Sequence, residues 1–243
     1  AHEEPPAASG GRRLIAVVID DVGPDRHQAH QAITLPSAVT LAFLPYAETL
    51  SEQVAAARAA RHQIIVHMPM EPQDMAHNNP GPQALLVTLG AADIRARVAA
   101  ALQAVAGEVG LNNHMGSRFT ASLAAMQPVM EELARHDLFF LDSRTTPQSV
   151  GATLARRYGV RYVARDVFLD NVIEGRAIQR QLDELARVAD RRGQAVAIGH
   201  PHPETLEALR RWIPLMEQRG YNFVPVSELA RRLPATDGLA VSR

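Results

Sequence analysis

Cysteine is absent from the 243 residues, which excludes disulfides, thiolate-ligated zinc and cysteine nucleophiles together. Aromatic residues are scarce at 5%, with a single tryptophan, Trp212, expected on a helix, so no extended sugar-stacking platform is expected. No apolar run reaches the roughly 18 residues that span a bilayer, so no transmembrane segment is expected in the chain. Neither sign of charge dominates: 25 basic against 26 acidic residues leave a formal charge of −1. With no basic, aromatic-interleaved patch and no nucleic-acid motif either, nucleic acid is excluded as an expected partner. A glycine-rich phosphate loop is also missing after the first apolar run, which counts against a doubly wound dinucleotide-binding sheet.

What is present suits one large core. Hydrophobic residues make up 47% and charged residues 21% of the chain, ordinary values for a globular fold. Residues 1–12, AHEEPPAASGGR, read as a disordered leader or linker and residues 233–243 as a loose tail. Residues 13–232 are expected to form a single domain. The chain begins at Ala1 and shows no internal repeat; removal of an N-terminal signal and export to the periplasm or elsewhere in a bacterial envelope are expected.

Apolar runs of strand length alternate with helical periodicity. Strands are expected at Arg13–Asp20, Ala38–Phe43, Gln63–His67, Val109–Asn113, Leu138–Asp142, Arg161–Arg165, Ala195–His200 and Asn222–Val226. Helices are expected at Asp25–Ile33, Ser51–Arg61, Ala91–Ala106, Ser122–Arg135, Gln148–Tyr158, Arg176–Arg192 and Pro203–Arg219. Strict alternation implies a mostly parallel sheet, and seven or eight units suit a single distorted (β/α) barrel. The proline-rich stretch from Met68 to Leu89 is long for a loop inside a compact domain and is expected to roof a site.

The strands end on residues that can do chemistry: LIAVVI on Asp20-Asp21, QIIV on His67, VGLNN on His114, LFFL on Asp142, QAVAIG on His200. In a parallel barrel the C-terminal strand ends share one mouth, so these side chains are expected to converge. An adjacent carboxylate pair can divide labour, one binding metal while the other acts as base, although a single Asp there would also serve as a helix cap. Neutral imidazole suits zinc and similar ions, which makes His67 and His114 candidate ligands. Pro69 argues against a helix bringing Glu71 onto the face of His67, leaving Glu71 as a supporting residue or an alternative ligand. Asn113 can donate to a substrate oxygen and Arg118 can hold a carboxylate. Asp142 can orient a histidine or arginine, with Arg144 as its partner. Asp166 and Asp170 are weaker candidates that a loop salt bridge explains equally well, and His202 can be a turn residue beside His200. Together these groups permit metal-assisted hydrolysis, with Asp20 and His200 as acid/base groups flanking one ion.

The segments IDDVG, HMPMEP, NNHMGSRFT, FLDSRT, RDVFLDN and IGHPHPET, in this order, resemble the divergent polysaccharide deacetylase family, a bacterial branch of the NodB-homology deacetylases. The resemblance covers roughly Arg12 to Leu229. It implies one divalent ion, most simply zinc, held by an Asp-His-His set, and removal of an N- or O-acetyl group from a carbohydrate polymer such as peptidoglycan or an exported polysaccharide. It implies Asp20 as base, Asp21 and His67 as ligands, and His200 as general acid. Glu71 stands where the wider superfamily has its second histidine, so His114 is the candidate third ligand. The superfamily's arginine-proline motif is replaced by NNHMGSR. Glu71, Asn113, Arg118, Asp142, Arg144, Asp170 and His202 complete the expected surroundings, and cell-wall enzymes are expected partners. Two other readings fit the same residues: a glycan-binding or regulatory barrel without catalysis, and a metal hydrolase acting on another amide or ester.

Overall fold

A computed structural model describes residues 13–234. The leader expected at 1–12, and the tail from residue 235 on, lie outside the described residues. Ten strands and seven helices follow the expected alternation: β1 (Arg13–Val22), α1 (Arg26–Ile33), β2 (Thr40–Phe43), α2 (Leu50–Ala59), β3 (Ile64–Met70), α3 (Ala91–Ala104), β4 (Gly110–Met115), α4 (Leu123–Arg135), β5 (Phe139–Asp142), α5 (Gly151–Tyr158), β6 (Arg161–Ala164), β7 (Val167–Phe168), α6 (Gly175–Arg192), β8 (Gln194–Gly199), α7 (Pro203–Gln218), β9 (Tyr221–Phe223) and β10 (Arg231–Arg232). The helices start and stop where side chains satisfy their ends. Asp25 accepts from the Gln28 N–H at 2.9 Å, Ser122 caps α4, and Gly159 and Gly193 close α5 and α6 in the left-handed conformation.

The sheet order is β10-β6-β5-β4-β3-β2-β1-β8-β7, with β9 pairing the start of β1. Every pairing is parallel except β10 against β6. The sheet curls into an incomplete barrel. Its seam runs between two adjacent residues: the Arg165 N–H donates to the Asp142 carbonyl on one side, and the Asp166 N–H to the Val196 carbonyl on the other.

Alternation along each strand sorts side chains between two cores. Ile15, Val17, Ile19, Leu41, Phe43, Ile64 and Val66 face outward and pack against the helices. Ala16, Val18, Ala42, Ile65, Phe139, Leu141, Val163, Val196 and Ile198 face inward and form a separate apolar filling. Val226, Leu229 and Ala230 pack onto that filling from the turn at Val226–Glu228. The next inward position on each strand is therefore the layer that meets solvent at the mouth, and the site is built there. The stretch after β3 does not roof it: a parallel bridge joins Met70 to Leu85, Leu85 is fully buried, and no residue from 71 to 89 lines the cleft over the strand ends.

Candidate metal centre

Continuing the inward face beyond the apolar filling gives Asp20 on β1, His67 on β3, Asn112 and His114 on β4, Ser143 after β5, Arg165 after β6 and His200 after β8. All but Asn112 line one cleft of about 490 Å³, and Asn112 lies buried directly beneath it. Asp21 should point away by alternation. It does not, because the β1–β2 register shifts between Ile19 and Val22, and Asp21 takes a left-handed φ of 55°. This bulge swings its carboxylate into the mouth beside that of Asp20.

Three candidate ligand atoms meet there. Asp21 Oδ1 lies 3.1 Å from His67 Nε2 and 2.9 Å from His114 Nδ1, and the two nitrogens are 3.1 Å apart. Asp21 Oδ1 is buried yet has no hydrogen-bond partner. A buried carboxylate oxygen left unpaired between two imidazole nitrogens suits a cation, and zinc takes this mixture of oxygen and nitrogen donors. The residues therefore fit one divalent ion. Burial pushes the Asp21 carboxyl up, but the imidazoles of His114 and His67 outweigh it and hold the group well below the usual carboxylate range.

Asn112 sets the chemistry of its neighbours. Its Oδ1 accepts from His67 Nδ1 at 2.8 Å, while its Nδ2 donates to Asp20 Oδ1 at 2.8 Å and to Ser143 Oγ at 3.2 Å. A proton fixed on His67 Nδ1 leaves the Nε2 lone pair facing Asp21, the arrangement a metal-binding histidine needs. Asp20 is 3% exposed, and burial raises its carboxyl above the ordinary range, a change in the direction that makes a carboxylate a stronger base.

On the far side His200 Nδ1 donates to Asp170 Oδ1 at 2.9 Å, which turns Nε2 toward the ligand atoms, 3.8 Å from Asp21 Oδ2. Asp170 also accepts from the His200 N–H and Thr205 Oγ1. Gly199 makes room for this: a Cβ there would sit 3.1 Å from Thr205 Cγ2 and 3.3 Å from Asp170 Oδ2. Burial lowers the His200 imidazole, but Asp170 more than reverses this and the pKa is pushed up to about 9. With Nδ1 bonded to Asp170, His200 presents Nε2 toward the ligand atoms, the position from which an imidazolium can give up a proton.

The remaining expected residues separate. Asp170 joins the site through His200. His202 stands beside it, ring centroids 5.9 Å apart, and Asn113 and Arg144 line the cleft. Asn113 is largely occupied, bonding the Met115 carbonyl, Thr145 Oγ1 and the Ser143 N–H. Arg118 does hold a carboxylate, that of Glu71 at 2.9 Å, and so is engaged within the protein. Two expectations need correction in part. Glu71 is not an alternative ligand, since its other oxygen accepts from the Val87 N–H and it is absent from the converging set. Asp142, one residue out of phase with Leu141, faces the helices and accepts from Ser149 Oγ, Tyr162 Oη and the Arg144 N–H; it orients no histidine, while Arg144 is its partner as expected, through the backbone. Asn112, Ser143 and Arg165 had not been expected at the site; counting by two along their strands would have found each of them. Asp166 is structural, bound to Arg192 and the Val196 N–H.

The family model described as divergent polysaccharide deacetylase matches residues 17–230. The chain belongs to that family. A protein of Escherichia coli K12, the uncharacterised YibQ, is 35% identical over 214 residues, 87% of this chain and 63% of its own length, so the chain spans less than two thirds of that relative. An uncharacterised protein from Agrobacterium tumefaciens C58 shares the structure at a TM-score of 0.88 with 31% identity, over 93% of this chain and 92% of that one. At the level of the fold alone, the chitin deacetylase of Colletotrichum lindemuthianum matches at a TM-score of 0.54 with 14% identity, covering 93% of this chain and 90% of that one. A CE4 family pseudoenzyme from Bacillus anthracis matches at 0.54 with 12% identity, covering 90% of this chain and 65% of that one. The fold therefore carries both active and inactive members, and activity has to be argued from the site.

Proposed function

We propose that this protein is a divalent-metal-dependent hydrolase that removes acetyl groups from a carbohydrate of the bacterial envelope, peptidoglycan or an exported polysaccharide. The observation that carries the reading is the convergence of Asp21, His67 and His114, with a buried carboxylate beside them (Asp20) and an Asp-backed imidazole across from them (His200). A binding module has no need of the last two.

Asp21, His67 and His114 would hold the ion, most simply zinc. Such an ion would supply Lewis acidity, polarising the acyl oxygen and acidifying the attacking water. Asp20, held as an acceptor by Asn112, takes the proton of that water. His200 gives its Nε2 proton to the leaving nitrogen or oxygen of the sugar as the acyl bond breaks. Asp170 stabilises the imidazolium beforehand and fixes the ring. Asp20 and His67, at the floor of the cleft above the apolar filling, are nearly closed to bulk water, and this strengthens each of these interactions.

Acetate release from acetylated peptidoglycan fragments and from acetylated neutral oligosaccharides, with zinc supplied, tests the reading. Hydrolysis lost in Asp20→Asn with zinc still bound supports it. Zinc binding with no hydrolysis of any acetylated glycan would replace it with a non-catalytic glycan-binding barrel, and cleavage confined to other amides or esters would keep the mechanism and change the substrate. Location in the envelope and partnership with cell-wall enzymes belong to the same proposal.

A further inference from the structure

Four arginines gather at the seam of the barrel. Two of them pair with the protein's own carboxylates: Arg192 with Asp166 at 2.8 Å and Arg191 with Glu184 at 3.1 Å. Arg144 and Arg165 have no carboxylate within 4.0 Å among the described residues, although both line the cleft of the metal centre. They also line a second cleft of about 490 Å³ on their other side, so they form the partition between the two.

Their backbone and side-chain geometry is held in place at some cost. Arg144 takes a left-handed φ of 51°, a conformation that burdens a residue with a side chain and persists where its surroundings enforce it. Asp142 Oδ1 accepts from its N–H at 2.8 Å and Arg165 Nη2 donates to its carbonyl at 3.2 Å. Arg165 is fixed in turn by its Nε bond to the Ser143 carbonyl at 2.8 Å and lies with its guanidinium carbon 5.0 Å from the centre of the Phe168 ring. The Arg144 guanidinium makes no hydrogen bond among the described residues, and Arg165 keeps Nη1 unused. Burial and the like charge of Arg144 pull the Arg165 pKa down by more than the charges of Asp20, Asp142 and Asp166 raise it. Both arginines line the same two clefts with donors to spare, and an oxyanion seated beside them can accept from the Arg144 fork and from Arg165 Nη1.

Resting on the deacetylase reading, we infer that Arg144 and Arg165 form a specificity site for an oxyanion on the sugar, a carboxylate or a phosphate, so that the protein selects acidic over neutral acetylated glycans. Asp142 is a positioning residue for this site: it holds the backbone of Arg144 rather than meeting the substrate.

The test is calorimetric binding of three probes to zinc-loaded protein: a neutral N-acetylglucosamine oligomer, the same backbone bearing lactyl carboxylates, and a phosphorylated oligomer. Acetate release is measured separately. The expected result is roughly tenfold or greater preference for an acidic probe, reduced toward parity in Arg144→Gln, partly kept in Arg144→Lys and weakened by salt. The better of the two acidic probes identifies the anion. Equal binding of neutral and acidic probes overturns the inference even if acetate is released. Preference for an acidic probe that depends on Arg144, with no acetate released from any, leaves the inference standing and removes the deacetylase reading instead. Should Arg144→Gln fail to fold, Asp142→Asn gives a second route: it is expected to lower the same preference, and an unchanged preference there counts against the inference.

Discussion

Asn112→Ala tests the core of the account, because Asn112 touches no solvent and should matter to both stability and metal binding. The residue is 0% exposed and its amide makes bonds of 2.8 Å to His67, 2.8 Å to Asp20 and 3.2 Å to Ser143. Alanine would leave the His67 Nδ1–H and Asp20 Oδ1 buried without this partner. At about 1–3 kcal/mol for each stranded group, metal-free protein should lose about 2–6 kcal/mol in urea unfolding. Loss of the bond that fixes the His67 tautomer should weaken zinc about 10- to 100-fold, read by competition with a chromophoric chelator. Asn112→Asp separates the two effects. It keeps an acceptor for His67 but sets a carboxylate against Asp20, so zinc affinity should suffer less while base function suffers more. Stability within about 0.5 kcal/mol of the parent and zinc affinity within about twofold in the alanine variant would refute the reasoning.

Three further outcomes are expected. Asp20→Asn should abolish hydrolysis with zinc content unchanged; turnover at the parental rate would put the base elsewhere. The His200 imidazole, lowered by burial but raised overall from 6.5 to about 9, first by Asp170 and then by Asp20 and Asp21, should stabilise the metal-free fold fully below pH 6.5 and lose that contribution as pH rises through about 9. Asp170→Asn should return the His200 titration, followed by NMR in metal-free protein, toward the ordinary imidazole range and flatten that pH dependence. An unshifted titration would show that Asp170 is not the cause. Gly199→Val should cost about 1–3 kcal/mol by crowding Thr205 and Asp170, and should lower kcat more than KM by displacing His200; parental kinetics would contradict the packing described.

How much of this was legible beforehand depends on phase. Eight of the ten strands and all seven helices follow from apolar periodicity, whereas β7 and β10, two residues each, are too short to leave a pattern. Reading strand tips brought Asp20, His67, His114 and His200 together because each lies on the inward phase. The same reading took in Asp142, which lies on the outward phase after Leu141, and passed over Asn112, two residues before His114. Asp21 is the converse case. Its phase is wrong, and only the bulge and positive φ bring it into the mouth, a backbone feature that IDDVG does not announce. Glu71 as a supporting residue or alternative ligand and Arg118 as the holder of a carboxylate are separate expectations from the sequence, and the structure joins them as each other's partner, a fold contact that sequence spacing cannot reveal.

Elemental analysis of the purified chain beside Asp21→Ala and His67→Ala tests the central claim most directly. The account predicts about one zinc-like ion per chain, retained through desalting and lost in both variants with the fold intact by circular dichroism. A chain that takes up no divalent ion after soaking, or variants that keep the full parental content, would contradict the metal centre and the hydrolytic function built on it.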